Sequence, residues 1–246
     1  MRARPTAASS MRGVRTIALA CCLALGVAGA ASAKDPLFAK GLKRKNDQTY
    51  ESKTNLLTNR MARNEDGTIN VVVEIPAGTN QKWEVSEDGT KLLWQNDRGS
   101  GKPRLIDYLS YPGNYGMVSR TWLDPEKGGD GQALDVMVLG TTEPRGTVIR
   151  AIPIGVVRVV DRFEQDDKIL AIQQGSTFKG VTDIESLDAE YPGISEILRI
   201  WFGNVHGTND VQMLGTGSRA QANAVIDYAA EAFTKRRTSE KAAQSK

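Results

Sequence analysis

Five carboxylates, Glu74, Asp130, Asp135, Asp161 and Asp166, stand in or beside apolar, strand-like stretches of this chain. Taken singly, each would be an ordinary solvated charge at the end of a strand. Taken together, and without a cysteine or histidine among them, they form an all-oxygen donor set. Such a set suits a hard cation, Mg²⁺ first, held by a few carboxylates and completed by waters and phosphate oxygens. Lys82, Arg104 and Lys168 are interleaved with the acids. Cations in that company would grip a polyanionic ligand whose charge the metal also neutralises. Acids for metal and bases for phosphate are the requirements for phosphoryl transfer to water.

The elements that must position these residues are mostly short strands. Glu65-Asp66-Gly67-Thr68 and Glu87-Asp88-Gly89-Thr90 are hairpin signals, because Asp-Gly accepts the positive backbone angles of a tight turn. Strands are predicted at Ile69 to Ile75, Lys82 to Val85, Leu92 to Trp94, Leu134 to Leu139, Val148 to Val160 and Lys168 to Ile172. Alternation would put Val72 and Glu74 on one face of the first, with Val71, Val73 and Ile75 opposite; likewise Lys82 and Glu84 share a face, with Trp83 opposite. Pro153 and Gly155 inside the long run predict a bend or bulge. Tyr111-Pro112-Gly113-Asn114-Tyr115-Gly116 reads as an aromatic turn, and Asn96 to Pro103 as a loop.

Helices come late. Ile194, Ile197, Leu198, Trp201 and Phe202 fall on one helical stripe within Pro192 to Asn204, with Pro192 in the first turn. A second helix opens on the capping-box pattern Ser218-Arg219-Ala220-Gln221 and carries Val225, Tyr228, Ala229 and Phe233 on one face. The order is mainly β, an α+β arrangement: a small twisted barrel with two helices packed on its outside and the charged groups ringing one mouth.

The flanks read differently. Residues 1–33 hold Arg2, Arg4, Arg12 and Arg15, an uncharged apolar run from Ile17 to Ala30, and the small-x-small site Ala31-Ser32-Ala33. That is the pattern of an export signal cleaved before Lys34. The apolar run is shorter than the roughly 20 residues a spanning helix needs, so no membrane association is expected after cleavage. Residues 34–64 read as an extended polar arm, 65–236 as the domain, and 237–246 as a charged tail. Four of the 32 basic residues and none of the 29 acids lie in the leader, so the rest of the chain carries 28 bases against 29 acids. Its near-neutral charge and clustered acids argue against a basic groove for nucleic acid. Both cysteines, Cys21 and Cys22, fall in the leader, so the core must hold the fold without a disulfide.

An ordered set of motifs gives these pieces a common origin. They are Glu74-Ile75-Pro76, Lys82-Trp83-Glu84, Arg104 in Lys102-Pro103-Arg104-Leu105, Tyr111-Pro112 with Asn114-Tyr115-Gly116, Thr121-Trp122-x-Asp124-Pro125, Asp130-x-x-x-x-Asp135-Val136 and Asp161-x-x-x-x-Asp166-x-Lys168. Over roughly Val71 to Phe233 the chain resembles the soluble family I inorganic pyrophosphatases. The resemblance implies an OB-like closed five-stranded barrel and hydrolysis of pyrophosphate, or a related small phosphoanhydride, with several Mg²⁺. It implies that Asp130, Asp135 and Asp166 hold the tightest metal and that Asp161 and Glu74 serve others. It also implies that Lys82, Glu84, Arg104, Tyr115 and Lys168 meet the substrate, and that Asp130, Asp135 and Tyr115 form the catalytic centre. A homo-oligomer is compatible with it.

Three positions depart from the family pattern. Its signature is acid-x-acid-x-x-acid, and here Gln132 holds the middle place, where the family's acid acts as base toward the attacking water. After Trp201-Phe202 the family places Tyr-Lys to bind phosphate, and here Val205 and His206 stand instead. The expected outcome is a slow pyrophosphatase. The alternative is a non-catalytic relative that binds metal and phosphate or pyrophosphate.

Overall fold

The computed structural model describes residues 35–161, 164–205, 207 and 211–244, except for the side chains of residues 161, 164, 211 and 244. The predicted leader (residues 1–33), His206 and the Asp161 side chain lie outside the described residues. In chain order the elements are β1 (Leu42–Asn46), β2 (Thr49–Ser52), β3 (Ile69–Ile75), β4 (Trp83–Val85), β5 (Lys91–Trp94), β6 (Asn114–Val118), β7 (Asp135–Leu139), β8 (Val148–Asp161), β9 (Glu164–Gln165), β10 (Lys168–Gln173), α1 (Ile184–Glu190), α2 (Ile194–Asn204), β11 (Val211–Ser218) and α3 (Arg219–Gln244).

Strands β10, β7, β6, β3 and β8 pair in that order, and β8 pairs back onto β10, closing a five-stranded barrel. Only β7 and β10 run parallel; the other barrel pairs are antiparallel. Closure depends on local bends. In β8 the pairing with β10 jumps from Gly155 to Pro153, so Ile154 is the extra residue of a bulge at the predicted place. In β3 the pairing jumps from Val73 to Ile75, which leaves Glu74 at a second bulge.

The second bulge corrects the simple alternation expected for β3. Val71 and Val73 pack in a cluster fed by all five barrel strands, including Val118, Val136, Val156 and Ile169, which marks it as the barrel interior. Beyond the bulge Ile75 joins a different cluster, with Tyr115, Met137 and Leu170, on the outer face. Close approach of β3 and β6 also needs a residue without a side chain. A Cβ on Gly116 would lie 1.9 Å from the Val72 carbonyl oxygen. Gly116→Ala should therefore lower the unfolding midpoint by the equivalent of about 3 kcal/mol, the upper end of the overpacking range; an unchanged thermal transition would contradict this packing.

Helices cover the barrel in two ways. Leu198, Trp201 and Phe202 of α2 pack on the outer cluster, while Ile197 of the predicted stripe is exposed. α3 instead sends Ala222, Ile226 and Ala229 into the interior cluster, so it closes a barrel end rather than lying on the wall. Its packed face is small and Ala-rich, and Tyr228, expected on that face, is 48% exposed. The predicted capping box is present: Ser218 N donates to Gln221 Oε1 at 2.9 Å and Gln221 N to Ser218 Oγ at 3.4 Å. α3 runs on to Gln244, so most of the predicted tail is helical.

Other elements carried weaker signals. α1 is seven residues long, capped by Asp183 with Ser186 reciprocating. α2 begins after Gly193, whose φ of 89° places Pro192 outside the first turn. β6 takes the second half of the expected aromatic turn, from Asn114 on, and β1 and β2 form within the expected polar arm. With β5 and β4 they make a four-stranded sheet in the order β1-β2-β5-β4, whose β4–β5 turn carries Gly89 at a φ of 72°. Tyr50, Trp83 and Leu92 of this sheet pack on Val72 and Met117 of the barrel. Arg145 is wholly buried beside them, its guanidinium 5.3 Å from the Phe38 ring and 5.6 Å from the Trp83 ring. Burial pulls its pKa down to about 10, against the charge of Asp35.

Candidate active site

Tyr115, Asp135 and Lys168 come from three strands that are neighbours in the barrel, β6, β7 and β10. Each alternates with interior residues, so all three project from the outer face of the wall. The charged centre therefore lies on the wall and not around a mouth, a correction to the ring expected from strand ends. Lys168 Nζ donates to Asp135 Oδ2 at 2.6 Å and also to Asp166 Oδ1. Tyr115 donates its hydroxyl to the same Asp135 Oδ2 at 2.6 Å. Burial would raise the Asp135 pKa, but Lys168 and Lys82 beside it hold the carboxyl below its usual range. Burial would lower Lys168, and Asp135 and Asp166 more than reverse that. Tyr115 is pushed up by burial and by the Asp135 and Asp166 charges, so it stays a proton donor.

A second group approaches from β3 and β4. Bulging at Glu74 turns its carboxylate toward β4, where Oε1 accepts from Val85 N at 2.6 Å. Lys82 Nζ lies 3.1 Å from Glu84 Oε1 and 5.3 Å from the centre of the Tyr115 ring. Burial alone would lower the Lys82 ammonium, yet Tyr111, Glu84, Asp135 and Glu74 around it raise its pKa. Glu74 is 5% exposed, and burial followed by the Asp135 charge lifts its pKa to about 8.

That shift has a measurable sign. Folded Glu74 keeps its proton to higher pH than the unfolded chain does. Its contribution is present below the unfolded pKa of 4.5 and is lost as pH rises through about 8. In the presence of a chelator, the unfolding midpoint should fall between pH 5 and 8, and Glu74→Gln should flatten that slope. An equal slope in the variant would remove Glu74 as its source.

The remaining predicted residues are placed less tightly. Asp130 reaches solvent, and its Oδ1 accepts from Gln132 N at 2.9 Å. Desolvation raises its pKa, the Gln132 N–H opposes this, and Asp135 and Asp166 add to the rise. Asp130 thus lies within electrostatic reach of the centre. Gln132 is exposed. Arg104 is half-buried, with its carbonyl oxygen accepting from Trp94 Nε1 at 2.8 Å and Lys82 N at 3.1 Å, and its charge bears on Tyr111. Among the described residues no three His, Cys, Asp or Glu side chains converge as a ready metal cage. Instead two carboxylates, Asp135 and Asp166, share one cation, the Lys168 ammonium. A pair of oxygen donors already arranged around a positive charge fits a hard cation that binds through a few carboxylates and takes its other ligands from water and phosphate.

The sequence model of the inorganic pyrophosphatase family matches residues 71–234, a stretch that includes the barrel strands from Val71 of β3 onward and every residue of this centre. The chain belongs to the inorganic pyrophosphatase family. A chloroplastic soluble inorganic pyrophosphatase of Arabidopsis thaliana is 31% identical over 147 residues, 56% of this chain and 49% of its own length. The chain thus spans about half the length of the curated relatives it matches. Among solved structures, the inorganic pyrophosphatase of Schistosoma japonicum aligns with a TM-score of 0.67 at 25% identity, covering 76% of this chain and 75% of that one. The type I inorganic pyrophosphatase of P. falciparum shares the fold, with a TM-score of 0.71 at 21% identity over 83% of this chain and 75% of that one. The family is metal-dependent in general, in keeping with the oxygen donors gathered here.

Some residues that shape this pyrophosphatase-like centre were not singled out as site residues in the sequence. Tyr111 is buried between Tyr115 and Trp201, at ring distances of 5.1 and 4.6 Å, and its phenol faces the Lys82 charge. Asn114 is fully buried and ties three backbone groups together: its Oδ1 accepts from Ala77 N and Glu143 N, and its Nδ2 donates to Thr141 O. Trp201 Nε1 holds the Leu109 carbonyl at 2.8 Å and so anchors the segment before Tyr111. A polar residue flanked by Gly and aromatics was the available signal for Asn114. Tyr111 and Trp201 carried only the look of core aromatics.

Proposed function

We propose that this chain hydrolyses inorganic pyrophosphate to two phosphates with Mg²⁺, slowly for its family. The observation that carries the reading is the Lys168 ammonium shared by Asp135 and Asp166 beside the Tyr115 hydroxyl. Asp135 and Asp166, with Asp130, would hold the tightest Mg²⁺, and Glu74 and Asp161 would serve further ions. When bound, the ion supplies neutralisation of phosphate charge and acidity to a nearby water. Lys168, which these carboxylates hold in place, would meet a phosphate oxygen. Lys82 and Arg104 hold the other oxygens, with Glu84 orienting Lys82, and Tyr115 donates its proton toward charge that builds up on the leaving side. Gln132 orients water but takes no proton from it, which is the reason for low turnover. The basic leader and apolar run before Lys34 support export, to a periplasm or beyond.

A second reading has its own observation. Val205 is 8% exposed and sits in the outer core cluster with Trp201 and Phe202, so it turns into the protein and offers nothing to a phosphate. A centre lacking both a base and that contact could bind metal and pyrophosphate without turning it over. Phosphate release by residues 34–246 with pyrophosphate and Mg²⁺, set against an Asp135→Asn control, separates the two. Release no faster than the control would leave the binding role alone.

A further inference from the structure

A cavity of about 330 Å³ lies where α3 crosses the end of the barrel, on the other side of the wall from the carboxylate centre. Its polar lining comes from Asp124, Lys127, Arg158, Gln165, Asp167 and Gln221. Leu123, Leu134, Val225 and Tyr228 form the apolar remainder, and Gly128 and Gly129 present bare backbone. None of these residues belongs to the centre described above, yet several are its immediate chain neighbours. Gln165 Nε2 bonds Asp167 on the cavity side at 2.9 Å, while Lys168 bonds Asp166 on the other. Leu134 likewise faces the interior cluster, and Asp135 faces Lys168.

The two acids in the lining are already engaged. Asp124 Oδ1 accepts from Glu126 N at 3.0 Å, capping the short 3-10 turn Pro125–Lys127. Asp167 is 6% exposed and accepts from Gln165 Nε2, from Val159 N at 3.3 Å and from Arg158 Nη1 at 3.4 Å. The cations have donors to spare. Among the described residues, Arg158 makes only that one long contact, and its side chain is 32% exposed. The exposed Lys127 ammonium has no acid partner among them. Tyr228, about half exposed, offers a ring face, and Val225, Leu123 and Leu134 an apolar floor. A volume near 300 Å³ is at the small end of ligand pockets.

We propose that this cavity is a second ligand site, for a small molecule with one anionic end and a flat apolar body. The anion meets Lys127 and Arg158, and the flat body lies along Tyr228 and Val225. An occupant would press on the Asp124–Gly129 turn that leads to Asp130 and on the Gln165–Asp167 link that carries Asp166 into Lys168 at the start of β10. The site stands whether or not the chain hydrolyses pyrophosphate, because its test reads binding alone.

The probe is 8-anilinonaphthalene-1-sulfonate, two flat aromatic parts and one fixed negative charge, titrated by fluorescence into the folded chain. One molecule per chain should bind, and saturating pyrophosphate with Mg²⁺ should not displace it. Ala224→Trp, a change at an exposed cavity-lining position on α3, should fill the space and weaken binding at least about tenfold. Lys127→Glu should weaken it about threefold or more, and the uncharged N-phenyl-1-naphthylamine should bind less well than the sulfonate. Circular dichroism and the unfolding midpoint establish that each variant is folded. Absence of binding, displacement by pyrophosphate, or undiminished affinity in folded Ala224→Trp would each overturn the proposal.

Discussion

Asp135→Asn should reduce phosphate release from pyrophosphate by at least about a hundredfold while leaving the barrel folded. Asp135 Oδ2 is the atom on which Tyr115 and Lys168 both converge, at 2.6 Å each. An amide at that position keeps the shape but removes the charge, and with it the reason for a metal to stay. Lys168, 7% exposed, would then rely on Asp166 alone, so a modest fall in the unfolding midpoint should accompany the loss of rate. The two effects separate cleanly: circular dichroism reports the fold, and Mg²⁺ titration reports the metal. A variant that keeps wild-type turnover would remove Asp135 from the catalytic centre, and the proposed mechanism with it.

The opposite result is expected one turn of the loop earlier. Gln132→Asp should raise turnover at least about tenfold, because it restores a proton acceptor beside the water that must attack. Gln132 is exposed, so the change carries little stability cost, within about 0.5 kcal/mol. The gain should grow with pH through the titration of the new carboxylate, whereas the parent should show no such limb. An unchanged rate across that range would assign the bottleneck elsewhere. The buried Val205, which offers no hydrogen bond to a phosphate, is then the place to look.

These two residues also show what was legible in the sequence. Asp166 and Lys168 were singled out as charged neighbours at the start of a predicted strand, and the structure has them bonded. The Asp-Gly pair before Thr90 marked the β4–β5 turn, and the Pro-x-Gly in β8 marked its bulge. Glu74 was harder. Alternation gave it the same face as Val72, but its direction is set by a bulge that exists only in the register of β3 against β6. Strand β6 was hidden because Asn114, Gly116 and a buried tyrosine do not alternate in polarity when both faces are covered. The placement of the centre on the outer wall depended on which alternating set faces the interior, and that is decided by closure between β8 and β10, far apart in pairing order. Local pattern supplied the strands; only the closed ring told inside from outside.

Arg145 connects this architecture to the order in which it can form. Its guanidinium lies against Phe38 and Trp83, and Phe38 stacks on Tyr50 with ring centres 3.7 Å apart. Those residues pack against the sheet that carries Glu84 and that Lys82 leads into, and they come from widely separated places in the chain, Phe38, Tyr50, Trp83 and Arg145. Contacts of such separation close long loops before they return any stabilisation, which makes them slow. The barrel's neighbouring strands β6 and β7 can meet with far less chain between them. The half of the centre that carries Tyr115 and Asp135 is therefore expected to form early, and the packing that backs Lys82 to wait for the amino-terminal arm and Arg145. The pace of becoming competent would then be set by the segment that looks least like part of the machine.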